Sequence, residues 1–213
     1  MNIAVCLPTR NEKDSIEIMI RRIKKLGYKL FISDEKSTDG TIETAKKNKV
    51  EVYQRDGSGK GYGVRKALEV ARKKGYKVLV LLDCDCTYPP EYIPLMLKYI
   101  PKYDMVIGRR KMKHIRFLHR LPNIIHTQAI NILYGAGLSD INSGMRAFKV
   151  DKIGNLDAAG FDIEAQLTIR ALKNRSKIKE VPISYEQRKG DSKIRVKDGF
   201  VILWRIIKER FRR

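Results

Sequence analysis

Long apolar runs are missing from this sequence. No segment approaches the ~20 uninterrupted apolar residues of a membrane span, and the chain opens directly on a strand-like run. The sequence therefore predicts neither a transmembrane helix nor a signal peptide. Cysteine is nearly missing too. Cys6, Cys84 and Cys86 are odd in number and lie in apolar surroundings, which argues against a disulfide framework and for a reducing compartment. Cys84-x-Cys86 has no second pair to complete a zinc site, so both read as small core residues. Histidine is equally sparse. His114, His119 and His126 show no i, i+4 pairing and are assigned ordinary helix-surface roles. Internal repeats, low-complexity tracts and linkers are absent. A length of 213 residues suffices for one sizeable core, so a single domain over residues 1–213 is expected.

Acidic residues are scarce beside basic ones, 24 against 45, giving a formal net charge of +21. That imbalance implies an anionic partner: nucleic acid, a phosphate-rich substrate or an anionic membrane surface. The aromatic residues are not interleaved with basic ones in any recognisable nucleic-acid module. No nucleic acid is expected, and the other two partners stand.

Residues 2–7 read as a buried strand ended by Pro8, followed by the polar loop Thr9-Arg10-Asn11-Glu12. Asp14 or Ser15 can cap a helix that ends at Gly27. Lys29 to Ser33 is a second strand ending on Asp34-Glu35, with turn chemistry through Gly40 and a helix to Asn48. A short strand from Val50, a glycine-bearing loop over 57–63 and a helix over 62–74 follow. Val78 to Leu82 is a strand, Glu91 to Ile100 a helix, and Asp104 to Gly108 a strand. This alternation with short connections predicts right-handed βαβ units and a largely parallel sheet. The second half carries a basic loop from Arg109 to Arg116, a helix over 118–135 and a strand over 145–150. A helix to Lys173, a strand over 178–185 broken by Pro182 and a final helix over 194–210 complete it.

One stretch organises the rest. The apolar run to Leu82 ends on Asp83-Cys84-Asp85, and alternation points the two carboxylates one way and Cys84 and Cys86 the other. Two close carboxylates repel unless a cation sits beside them, and hard oxygen ligands suit Mg2+ or Mn2+. Ligands of parallel sheets bind beyond the carboxyl ends of the strands. Thr9–Glu12, Asp34–Asp39 and Asp83–Asp85 all fall at such ends. Alone, an Asp-x-Asp also fits a solvated strand end; three converging clusters favour a site.

The ordered set Leu7-Pro-Thr-Arg-Asn-Glu12, Asp34-Glu-Lys-Ser-Thr-Asp-Gly-Thr41, Gly59-Lys-Gly-Tyr-Gly63, Leu82-Asp-Cys-Asp85, Pro90-Glu91, Gly108-Arg109, Asp140-x-x-Ser-Gly144 with Arg146, Val181-Pro-Ile-x-Tyr185 and Arg188-x-Gly-x-Ser-Lys193 spans nearly the whole chain. It resembles glycosyltransferase family 2, and within it the dolichyl-phosphate mannose synthase-like polyprenyl-phosphate glycosyltransferases. The resemblance implies an α/β class chain with the GT-A fold, a Rossmann-like, mostly parallel central sheet flanked by helices. Residues 1–108 become a nucleotide-sugar-binding half, 109–193 an acceptor-binding half and 194–213 a C-terminal basic amphipathic helix. It implies donor contacts from Pro8, Thr9, Asn11, Glu12, Asp34, Lys60, Asp83, Cys84, Asp85, Arg188, Ser192 and Lys193. Asp83 and Asp85 would hold Mg2+ or Mn2+, with Thr87 where relatives commonly place a Gln. Arg109 and Arg120 resemble the arginines that hold a lipid phosphate, and with Asp85 they form the catalytic set. Asp140 and Glu164 would hold sugar hydroxyls, with loop capping and helix-start charge as equal alternatives; Asp140 could instead orient Arg146.

The implied reaction is an inverting, metal-dependent transfer of a hexose, mannose or glucose, from GDP- or UDP-sugar to dolichyl or polyprenyl phosphate. A phosphate acceptor needs no general base, since its second pKa near ~6 leaves it ionised. A family 2 transferase acting on a saccharide hydroxyl would need one, and Asp140 is the obvious candidate. Val196, Phe200, Leu203, Trp204, Ile207 and Phe211 form one helical stripe beside Arg205, Lys208, Arg210, Arg212 and Arg213. The stripe either packs on the core or lies in a membrane interface. The expected location is peripheral, on the cytoplasmic face of a membrane, alone or with a separate membrane protein subunit.

Overall fold

Ala4, Val5, Cys6 and Leu7 are fully buried on both faces of β1 (Ile3–Thr9), which fits a central strand. The computed structural model describes residues 1–111, 115, 117–190 and 193–212. β2 (Lys29–Asp34) pairs parallel on one side of β1 and β4 (Val78–Leu81) parallel on the other. β3 (Glu51–Gln54) extends the sheet beyond β2. The full order is β3-β2-β1-β4-β6-β5-β7. β5 (Met105–Arg110) and β7 (Ile178–Ile183) are parallel to each other, and β6 (Arg146–Lys149) runs antiparallel between β4 and β5. The chain lays out β1, β2 and β3 in one direction, then returns along α3 (Lys60–Lys73) to place β4 on the far side of β1. That reversal opens a crevice beyond the carboxyl ends of β1 and β4.

α1 (Lys13–Lys25), α2 (Thr41–Lys47) and α4 (Ile93–Leu97) cover one face of the sheet; α3, α5 (Phe117–Tyr134), α6 (Ile163–Lys173) and α7 (Val196–Phe211) cover the other. In α1, Ile16, Met19, Ile20 and Ile23 recur at helical spacing and are fully buried. The helix stops at Gly27, whose φ of 77° a side chain would disfavour.

Three expectations about prolines change. Pro8 lies inside β1 and does not end it. Leu82 N–H bonds to Cys6 O and Glu35 N–H to Thr9 O, so alternation turns the Pro8 nitrogen toward β4, whose pairing has already stopped at Cys6↔Leu81. Pro182 does not break β7, because β7 is an edge strand. The helix expected over 91–100 divides into a 3-10 turn, Pro90–Tyr92, and the five-residue α4. Pro94 has no N–H to bond back to residue 90, so the α ladder restarts there.

α7 is packed with the side opposite to the expected stripe. Val196, Phe200, Trp204, Ile207 and Phe211 are exposed, and the residues turned inward are Ile202, Ile206 and Glu209. Glu209, fully buried, accepts from Gln166 Nε2 at 2.8 Å and pairs with Arg170 at 3.1 Å. Arg205 reaches Asp162 and Asp157, both at 2.8 Å. Tyr134 Oη donates to Ile206 O at 2.8 Å, tying α5 to α7. This ionic inner face anchors the helix, so its apolar stripe is left outside.

Truncation of a buried ion-pair partner strands the opposite charge. Glu209→Ala is expected to lose about 3 kcal/mol of unfolding free energy in urea titration, whereas Phe211→Ser on the outer stripe changes it by less than about 0.5 kcal/mol. Equal effects from the two would mean that α7 docks by its apolar side.

Candidate active site beyond the first and fourth strands

The turn after β4 carries the central carboxylates. Cys84 and Cys86 enter the core on the α1 side, 2% and 4% exposed, while Asp83 and Asp85 face the crevice, as alternation requires. The Cys84 thiol is therefore turned away from the crevice and offers a donor no side-chain contact. Burial also holds its thiol well above the usual range, which leaves it inert. Cys86 takes φ 65°, a strained conformation for a residue with a side chain. Neighbours fix it there. Thr87 donates to Asp85 Oδ1 through its N–H at 3.0 Å and its hydroxyl at 2.5 Å. Glu186 N–H bonds to Thr87 O and Lys189 N–H to Asp85 O, each at 2.9 Å. Thr87 is buried with its hydroxyl engaged, so its role as a third metal ligand is corrected: it orients Asp85.

Asp83 rests on Gly144, where a Cβ would stand 2.4 Å from Asp83 Oδ2; any side chain there would displace the carboxylate. Gly144 N–H donates to the buried Tyr88 hydroxyl at 2.8 Å. Lys60 Nζ lies 2.5 Å from both Asp83 Oδ1 and Glu164 Oε1. Burial lowers the Lys60 pKa, but Asp83 and Glu164 outweigh it and hold the amine firmly charged. Its position is fixed by Gly61, whose N–H bonds to Ala159 O at 2.9 Å and whose Cβ, if present, would meet Ala158 O at 2.1 Å. Pro8, Lys60, Asp83, Gly144, Arg146 and Glu164 line one small cavity.

The β1–β2 edge is arranged differently from expectation. Asp34 is fully buried and accepts from Thr9 Oγ1, Ser37 N–H and Ser37 Oγ, each at 2.7 Å. With both oxygens occupied it locks the strand ends and has no exposed surface for a base or ribose, and Thr9 is consumed in the same lock. Asn11 shapes the loop, its amide oxygen accepting Thr38 N–H at 3.0 Å. Glu35, the longer acid in the second position, spans to the glycine loop. It pairs with Arg10 and Arg55 and accepts from Ser58 Oγ at 2.6 Å and Gly59 N–H at 2.9 Å. Glu12 points into the crevice, where Lys193 Nζ meets it at 2.5 Å. Arg188 Nη1 stands 2.5 Å from Asp85 Oδ2. Burial, and then Asp83, raise the Asp85 pKa; burial, together with Asp85 and Asp83, raises that of Glu12 against the pull of Lys193.

Arg109 is exposed at the end of β5, and alternation places it on the α5–α7 side of the sheet. Arg120, also on that side, donates through Nε to Ile115 O at 2.8 Å. Asp140 is 1% exposed and accepts Arg110 Nε and Nη2, each at 2.8 Å. The expectations that Asp140 binds sugar or orients Arg146 are corrected, since that bidentate pair uses both oxygens. Arg146, fully buried, bonds instead to Ser143 O, Thr168 Oγ1 and Ile141 O. His126 is buried rather than on a helix surface: Asn142 Nδ2 donates to its Nδ1 at 3.0 Å and its Nε2 donates to Gly199 O at 2.9 Å. Ser192 and His114 lie outside the described residues, as does the side chain of His119. The sequence reading gave no role to Arg110 or Tyr88. A signal existed for Arg110 alone, since alternation along β5 turns it to the face opposite Arg109.

The crevice thus gathers Pro8, Glu12, Lys60, Asp83, Asp85, Glu164, Arg188 and Lys193. Among the described residues no group of three or more His, Cys, Asp or Glu forms a closed metal cage. Two adjacent carboxylates on an open crevice, Asp85 buried and Asp83 half-buried, fit Mg2+ or Mn2+, which take one or two protein carboxylates and complete their shell with substrate phosphate oxygens.

Comparison with known proteins agrees with this geometry. A low-salt glycan biosynthesis hexosyltransferase of Haloferax volcanii is 32% identical over 97% of this chain, which spans about half (52%) of that protein. A dolichyl-phosphate hexose transferase of the same organism is 32% identical, covering 91% of this chain and 86% of its own length. The crystal structure of glucosyl-3-phosphoglycerate synthase from Mycobacterium tuberculosis with Mn2+, UDP-glucose and phosphoglyceric acid superposes with TM-score 0.80 at 20% identity, covering 98% of this chain and 79% of that one. It shares the GT-A fold. The model of glycosyl transferase family 2 matches residues 4–156, from β1 to beyond β6, and so takes in the Asp83–Asp85 turn together with the Gly144 floor beneath it. The chain belongs to glycosyltransferase family 2.

Proposed function

We propose that this chain transfers a hexose from a nucleoside-diphosphate sugar to a polyprenyl phosphate. The observation that carries the acceptor class is Asp140. It is the acid the sequence offers as general base for a hydroxyl acceptor, and it is buried in a bidentate pair with Arg110. Glu164 is similarly held by Lys60. A phosphate monoester, ionised at neutral pH, needs no base, and the exposed Arg109 suits it. The dolichyl-phosphate hexose transferase relative supports the same reading.

In this mechanism Asp85, with Asp83 beside it, would hold Mg2+ or Mn2+. The chemistry such a bound ion supplies is neutralisation of the diphosphate as it leaves. Arg188 and Lys193 add positive charge on the same side. Thr87 holds Asp85 in one rotamer, and Gly144 and Lys60 hold Asp83. Arg109 and Arg120 would orient the acceptor phosphate opposite the leaving group, which inverts the anomeric carbon.

The exposed apolar residues support a lipid-facing surface. Phe117, Leu121, Ile125 and Ile132 on α5, and Phe200, Trp204 and Phe211 on α7, lie on two helices that pack together, among Lys197, Lys208 and Arg210. Among the described residues no helix is long and apolar enough to cross a membrane. We therefore infer peripheral attachment in which these faces enter the interface and the cations meet anionic headgroups.

With labelled GDP- and UDP-sugars and dolichyl phosphate, Asp85→Asn is expected to lower transfer into the organic phase at least ~100-fold with unchanged circular dichroism. Full activity in that variant would refute the metal role. Because the Asp85 pKa is raised, its proton returns at a higher pH than for an ordinary carboxylate. Mn2+ affinity, titrated with nucleoside diphosphate present, is expected to fall already above the usual carboxylate range near ~4. Trp204→Glu is expected to reduce co-sedimentation with anionic vesicles severalfold while leaving the melting temperature in place; unchanged sedimentation would remove α7 from the membrane surface.

A further inference from the structure

The two central carboxylates are each neutralised by a cation of this chain, and the two cations differ in kind. Lys60 is the first residue of α3, its side chain 15% exposed, bridging Asp83 and Glu164 at 2.5 Å each. It is held by two acids at once, on backbone that is fixed. The backbone on its C-terminal side is pressed against Ala158 and Ala159, with Gly61 N–H bonded to Ala159 O. Arg188 is 33% exposed and lies on the connection from β7 to α7. The backbone around it is held independently of its guanidinium. Glu186 N–H bonds to Thr87 O, Lys189 N–H to Asp85 O, and the Glu186 carboxylate pairs with Arg22 at 3.0 Å. Arg22 also holds Glu91 at 2.6 Å, which fixes the start of that connection to α1 and the 3-10 turn. The guanidinium can therefore swing off Asp85 without the chain moving.

Asp85 Oδ1 is taken by Thr87, so Oδ2 is the oxygen left for any incoming cation, and Oδ2 is the atom that Arg188 covers. We propose that Arg188 is the exchangeable counter-cation of Asp85 and Lys60 the permanent one of Asp83, so that a divalent cation enters only by displacing Arg188. This rests on the metal reading given above and deepens it. A displaced guanidinium needs a new anion, and a nucleoside diphosphate supplies one at the same place. Metal and nucleotide are then coupled: each removes the obstacle to the other, and by linkage the coupling is equal in both directions. Free metal alone must compete with an ion pair and binds weakly. The two Asp of the Asp-x-Asp are accordingly unequal. Asp85 is the metal ligand, and Asp83 is chiefly the partner that keeps Lys60 in place.

The test is Mn2+ binding followed by electron paramagnetic resonance, with and without saturating GDP or UDP, on the full chain. The wild-type protein is expected to bind Mn2+ at least ~10-fold more tightly with nucleotide. Arg188→Ala is expected to tighten Mn2+ binding without nucleotide by a similar factor and to reduce the coupling toward one. Arg188→Lys, which retains a cation, restores weak binding. Asp85→Asn abolishes binding in either background, and Asp83→Asn weakens it less. Nucleotide-free Mn2+ affinity unchanged by Arg188→Ala, in a protein that still binds Mn2+ with nucleotide, overturns the counter-cation role and leaves the metal reading standing. No Mn2+ binding by wild type with either nucleotide overturns both.

Discussion

Four carboxylates, Glu12, Asp83, Asp85 and Glu164, converge beyond the ends of β1 and β4 in a partly dehydrated crevice. Such a gathering is stable only when each charge has a counter-charge, because burial and mutual repulsion both oppose ionisation. Much of the surrounding structure serves that requirement. α3 begins where Lys60 can bridge two of the acids, and the chain beyond β7 returns over the crevice to bring Arg188 and Lys193 to the other two. Gly144 is a glycine because Asp83 lies on it. In the proposed reaction a metal and a diphosphate would meet the same demand for charge compensation, so folding and donor binding would draw on one electrostatic problem.

The sheet was legible because its signals are periodic. Alternating β and α segments require a parallel core, and alternation after Leu82 separates Asp83 and Asp85 from Cys84 and Cys86. What the sequence could not reveal was which acids are already satisfied. Asp34, Asp140 and Asp85 are the same residue type at similar strand or loop ends. Yet Asp34 is filled by Thr9 and Ser37 and Asp140 by Arg110, whereas Asp85 turns one oxygen to the crevice side, where the partly exposed Arg188 covers it. That difference depends on partners distant in sequence. Helix α7 left two readings open for a related reason: its inner contact is ionic, through Glu209 and Arg205, a pattern that hydrophobic periodicity does not register.

Side chains also tie the strand ends and helices to their loops. At the ends of β1 and β2, Thr9 and Ser37 close on Asp34. α5, α7 and the loop through Asp140 and Asn142 are joined by His126, a buried imidazole whose pKa burial lowers. A neutral ring can accept from Asn142 while donating to Gly199, so one side chain fixes the loop to both helices.

The single reversed strand, β6, has an architectural consequence. In a wholly parallel sheet only chain leaving a strand would reach the crevice. Because β6 runs the other way, the crevice also receives chain that is arriving at a strand, and Ser143 and Gly144 come to Asp83 from upstream. Everything between β5 and β6 therefore forms one excursion that both departs from and returns to the same sheet edge. Such an excursion can lengthen, shorten or change composition while the β1–β4 ladder stays in register. One contiguous stretch of chain can thus diverge without rebuilding the β1–β4 end of the crevice.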